Sequence, residues 1–199
     1  FWTEVLIEAP VIMLLSTSTA LTTTAQAYRV VRRFTIHMNL LVTGVAVAIA
    51  FVDPLFDLVL RRWMGIPPEI ADLTQTGMRI MSLWSAAIGW RRFHQGMLIR
   101  FGEARQVTWG TVVRLVTSAT VASGLVLAGR FSGIVVAATT FLLSAVAEAL
   151  YAWWRSRAIV AQLHANKEPE GDDLTYRTVL EFHTPLAATS VLSFVALPL

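Results

Sequence analysis

Four polar side chains, Arg91, Arg92, His94 and Gln95, fall inside residues 77–100 (GMRIMSLWSAAIGWRRFHQGMLIR), a stretch otherwise apolar and long enough to cross a bilayer. A charge at membrane depth costs about 2.5–3.5 kcal/mol per Arg on insertion scales. A helix facing lipid on all sides would not keep two. These groups are therefore expected to face protein or a water-filled cavity. Guanidinium groups there could hold an anion, and an imidazole could relay protons.

Two further ionisable groups belong to the same reading. At about 1.5 Å of rise per residue, Arg91 and Arg92 lie about 13 Å inward from Arg100. Arg114 lies about 12 Å inward from Gln106, and Glu148 about 10 Å inward from Arg155. Three helices thus carry charges to one level, and Glu148 is the acid at that level. A pair of Glu148 with Arg114 or Arg91 is expected, because a buried charge needs a partner. The excess of positive charge would line a cavity in the inner half of the membrane. The competing reading is structural: a tie between helices, or Arg side chains snorkelling to the interface.

Other candidates carry less chemistry. Glu4, Glu8, Asp53 and Asp57 read as groups at the outer boundary, and Asp53-Pro54 as a break. The Ser/Thr-rich run from Ser16 to Thr24 is expected to pack against neighbours or line a cavity. Small residues such as Gly110 and Ser144 mark close helix contacts. GxSxG, HExxH, P-loop and GxGxxG patterns are absent, so an enzyme is not expected. His37, His94, His164 and His183 are dispersed, and Asp172-Asp173 reads as part of a solvated loop, so neither a metal nor a cofactor is expected.

The elements that must position these groups follow from composition. The 199 residues contain no cysteine, 55% are hydrophobic and only 15% charged. Mean hydropathy is +0.60. An ordinary soluble domain is about 25% charged, so the pattern predicts an all-α, polytopic membrane helix bundle. Net charge is +3, but the Arg residues gather at the ends of apolar runs, as membrane topology requires and nucleic-acid binding does not. About 20 helical residues span the hydrocarbon. Six segments qualify or nearly so: 5–27, 36–60, 77–100, 106–128, 131–154 and 180–199. The expected interruptions are Tyr28 to Arg33, Arg61 to Pro68, Phe101 to Arg105, Gly129 to Gly133 and the polar stretch His164 to Asp173. Continuous apolar runs such as Val45 to Phe51 argue against alternating β-barrel strands. Placing Arg29–Arg33 in the cytoplasm puts most basic residues inside. The chain starts at Phe1 and stops within an apolar run, and is read as an internal piece of a longer protein.

Three stretches resemble a known family. Arg92-Phe93-His94-Gln95-Gly96-Met97-Leu98-Ile99-Arg100, with Arg105 beyond it, is similar to a conserved stretch of MATE-like proteins. Gly133 to Ala138 followed by Glu148-Ala149, and Phe182-His183-Thr184-Pro185-Leu186-Ala187, resemble two further helices of the same group. The group is the multidrug/oligosaccharidyl-lipid/polysaccharide (MOP) exporter superfamily, and within it the chain looks nearest to bacterial relatives of the progressive ankylosis protein. The resemblance implies two six-helix lobes. Residues 1–159 would be helices two to six of the first lobe, 160–178 a cytoplasmic interlobe linker, and 179–199 the first helix of the second lobe. It implies a secondary transporter or exporter in a bacterial inner membrane; substrate and coupling ion stay open, with an anionic or amphiphilic small molecule suited to the basic cavity and H⁺ or Na⁺ as candidate ions. The helix that carries a cation-coupling Asp in drug exporters would lie outside this chain. A lipid-linked saccharide flippase of the same fold, or a membrane-embedded transferase, are the alternatives. The oligomeric state is open.

Overall fold

The computed structural model describes residues 10–165 and 174–196, and regular structure among them is entirely helical. An apolar helical stretch begins at Pro10 and leads into α1 (Leu14–Leu21). Then come α2 (Ala25–Phe51) and the short α3 (Asp53–Phe56). A π-helical segment, Asp57–Trp63, leads to α4 (Pro68–Met81) and α5 (Trp84–Arg100). The chain ends in α6 (Ala104–Ala128), α7 (Gly133–Ala165) and α8 (Tyr176–Ala196). Three of these, α2, α6 and α7, are long and apolar enough to cross a membrane.

Several expected boundaries move, each for a physical reason. Tyr28 to Arg33 is not a loop: it lies in the first turns of α2. Arg is a good helix former, so charge alone does not stop a helix. The stop comes earlier, at Thr22 to Thr24, where Thr24 Oγ1 accepts from the Ala27 amide at 3.1 Å and caps α2. The expected 5–27 segment is thereby cut at Leu21, and its first five residues, 5–9, lie outside the described ones. The expected 36–60 segment is displaced to Ala25–Phe51. Pro54 has no amide proton to return to the Ala50 carbonyl; Arg79 Nε donates to that carbonyl instead, at 3.2 Å. Arg79 also lies 3.6 Å from Asp53 and 5.6 Å from the Phe51 ring, strapping α4 to the break. Asp57 pairs with Arg61 at 3.2 Å on the surface.

The 77–100 segment is likewise divided, by a turn at Ser82-Leu83, where Leu83 takes φ −90° and ψ 0°. α7 continues to Ala165, well past the expected end at 154, because Ala158, Ala161, Gln162 and Leu163 sustain a helix after the apolar run ends. Residues 160–165, expected to open a linker, are instead the last residues of this helix. Residues 166–173 lie outside the described ones, as do Lys167, Asp172 and Asp173, and α8 starts at Tyr176.

Register follows from the contacts. α5 and α7 run parallel: Arg91 meets Glu148, Gln95 meets Glu148, and the Trp84 and Phe141 rings lie 6.4 Å apart. α6 runs antiparallel to both and packs along α7, with Gln106 against Tyr151 and Gly110 against Glu148. α5 is the central element, burying Phe93 and Met97 completely and Leu98 almost so. α1 crosses it closely, because a Cβ at Gly96 would sit 2.6 Å from the Leu15 carbonyl oxygen. α6, at the periphery, buries only Gly110. Exposed Leu115, Val116, Leu127, Leu143 and Leu150 on α6 and α7 form an apolar outer surface, which suits lipid and would be a liability in water.

Candidate functional site

α5 is tied to its neighbours by hydrogen bonds, helix by helix. Against α1, Ser18 Oγ donates to the Phe93 carbonyl at 2.7 Å, and Thr19 Oγ1 shares its proton between the carbonyls of Leu15 (2.8 Å) and Gly96 (3.2 Å). Against α2, Asn39 Nδ2 donates to the Ala86 carbonyl at 3.4 Å. Lipid tails are as apolar as Leu, so such hydrogen bonds, at about 0.6 kcal/mol each on average, and close packing must hold helices together in a membrane.

The charged level is built between α5, α6 and α7. Arg91 and Gln95 are four residues apart on α5 and share a face. Arg91 Nη1 donates to Glu148 Oε2, and Gln95 Nε2 donates to Oε1 at 3.0 Å. Arg114 Nη1 reaches Oε2 from α6 at 3.9 Å. Gly110, one turn from Arg114, makes room for α7: a Cβ there would lie 3.4 Å from Glu148 Cγ. Glu148, Gln95 and Arg91 are 2%, 3% and 6% exposed. Taking a carboxylate and a guanidinium out of water is repaid only when both are well paired, and here each oxygen of the carboxylate has its own donor.

The three arginines are not equivalent. Arg91 is enclosed and committed to Glu148. The Arg114 side chain is 32% exposed, lies at the edge of ion-pair distance and stacks 5.9 Å from the Trp84 ring. Arg92 is half-buried beside this cluster, and its Nε, like that of the enclosed Arg91, makes no hydrogen bond among the described residues. Among the described residues, one carboxylate therefore faces two guanidinium groups, Arg91 and Arg114, with Arg92 beside them on α5.

His94 belongs elsewhere. Its Nδ1 lies 2.7 Å from Ser156 Oγ, whose proton goes to the Trp153 carbonyl at 2.9 Å. His94 then donates through Nδ1–H and leaves Nε2 as an acceptor, without a hydrogen bond among the described residues. The ring borders a cavity of about 250 Å³ with Tyr28, Trp153, Ser156, Arg157 and His164.

Of the six candidates, Arg91, Gln95, Arg114 and Glu148 meet in one cluster, Arg92 flanks it, and His94 faces a separate cavity. Two partners escaped sequence reasoning. Ser156 stands two turns beyond Glu148 on the same face of α7, a spacing that could have marked it. His183 pairs with Thr17 at 2.8 Å, tying α8 to α1; no local signal in the sequence links them. Comparison with family models, curated proteins and solved structures finds no match to this chain.

Proposed function

We propose that this chain forms most of one lobe of a secondary transporter that works by alternating access and carries an anionic or amphiphilic small molecule, with H⁺ or Na⁺ as coupling ion. The observation that carries the reading is the cluster at membrane depth, in which one buried carboxylate pairs with Arg91 while a second guanidinium, Arg114, stands 3.9 Å away, one-third exposed. A purely structural tie needs one cation per carboxylate. Surplus positive charge in an apolar surround favours an anionic guest. The resemblance to MATE-like proteins supports the same reading and suggests a bacterial plasma membrane as the setting.

The test is flux in proteoliposomes with a panel of radiolabelled anions: di- and tricarboxylates, inorganic phosphate and pyrophosphate. The expected result is saturable flux of at least one anion that responds to an imposed H⁺ or Na⁺ gradient. Flux equal to that of protein-free liposomes for the whole panel would overturn the proposal.

A further inference from the structure

A second polar site lies where α7 leaves the membrane. From Gly133, about 20 residues of α7 span the hydrocarbon, which brings Trp153, Trp154, Arg155 and Arg157 to one interface. Phe101 and Glu103 of the α5–α6 turn lie against the same part of α7. Between turn and helix lies a cavity of about 470 Å³, bordered by Arg155, Arg157, Trp154, Gln106, Gln162 and Glu103 over an apolar floor that includes Leu98 and Ile159.

The charge of this cavity is unspent. The Arg155 guanidinium lies 5.4 Å from the Trp154 ring centroid, and that of Arg157 lies 5.4 Å from the Trp153 ring centroid. Neither forms an ion pair among the described residues, and Arg155 Nε is buried without a hydrogen bond there. Glu103 supplies one carboxylate, which accepts from Gln106 Nε2 at 3.4 Å. Two guanidiniums outweigh it. Trp rings favour the headgroup level of a bilayer, Arg matches a phosphate in bidentate fashion, and the Leu98–Ile159 floor would receive the start of an acyl chain.

We infer that this groove binds the headgroup of an anionic phospholipid. The site is distinct from the Arg91–Glu148–Arg114 cluster and does not depend on what that cluster carries.

Native mass spectrometry of the purified protein, equilibrated with phosphatidylglycerol or phosphatidylcholine, tests this. The protein should retain phosphatidylglycerol about tenfold better. Arg155→Gln/Arg157→Gln should abolish the preference, while Arg62→Gln/Arg130→Gln, at the other face, should keep it. On the unaltered protein, raising salt to about 1 M should weaken the preference, which keeps the test decisive if the double variant does not fold. Retention of the preference in a folded Arg155→Gln/Arg157→Gln protein, a preference insensitive to salt, or displacement by glycerol phosphate at concentrations matching the lipid would each overturn the assignment.

Discussion

Glu148 organises the charged level because it accepts from Arg91 and Gln95 and lies 3.9 Å from the Arg114 guanidinium. Its removal leaves the enclosed Arg91 without a counter-charge. Glu148→Gln should therefore cost about 3–5 kcal/mol, the range for breaking one side of a buried pair. Thermal unfolding in detergent checks this. The double replacement Arg91→Met/Glu148→Met should recover much of that loss, since an apolar pair avoids the desolvation cost altogether. A double variant as unstable as Glu148→Gln would show that the pair is not the source of the loss. The same geometry separates two roles that look alike in the sequence. Arg91 holds the helices, and altering it confounds stability with function. Arg114, one-third exposed, is the cation with capacity for a guest.

At the scale of elements, α5 is positioned by close approaches and by caps. Gly96→Ala would press a Cβ to 2.6 Å from the Leu15 carbonyl oxygen and 2.7 Å from Ser18 Cβ. Backbone cannot yield there as a side-chain end would, so overpacking of about 1–3 kcal/mol is expected, read as a lower melting midpoint. Thr24→Ala removes the cap of α2 and should cost about 1 kcal/mol; an unchanged midpoint would remove Thr24 from the account of why α1 ends where it does. These two positions also show what was legible. Depth counting along α5, α6 and α7 placed Arg91, Arg114 and Glu148 at one level, because helical rise is regular and the short turns fix register. The ends of α1, α2 and α7 were misplaced because hydropathy reports where lipid is, not where hydrogen bonding stops. Thr24 stops a helix by capping, whereas Arg29, Arg32 and Arg33 continue one. The Ser82-Leu83 turn contains neither Pro nor Gly, so its local sequence gave no sign of it. His183–Thr17 depends on how α8 docks, which no local pattern encodes.

At the scale of the whole molecule, three helices among the described residues are long and apolar enough to cross a membrane, and with the exposed apolar surface on α6 and α7 they set the charged cluster within an integral membrane fold. On the positive-inside reading proposed from the sequence, the α5–α6 turn and the far end of α7 belong on the cytoplasmic side. The chain has no cysteine, which permits a direct test. Ser132→Cys and Ala165→Cys should react with an impermeant maleimide from opposite sides of sealed vesicles, Ala165→Cys from the cytoplasmic side. Labelling of both from one side would contradict the topology. The central claim is that the surplus guanidinium at membrane depth carries an anion, and it is tested most directly by anion flux through the Arg114→Gln protein in proteoliposomes. The account predicts that flux falls about tenfold or more while the melting midpoint stays near that of the unaltered protein. Flux equal to the unaltered protein's, at equal reconstituted amount, would contradict it.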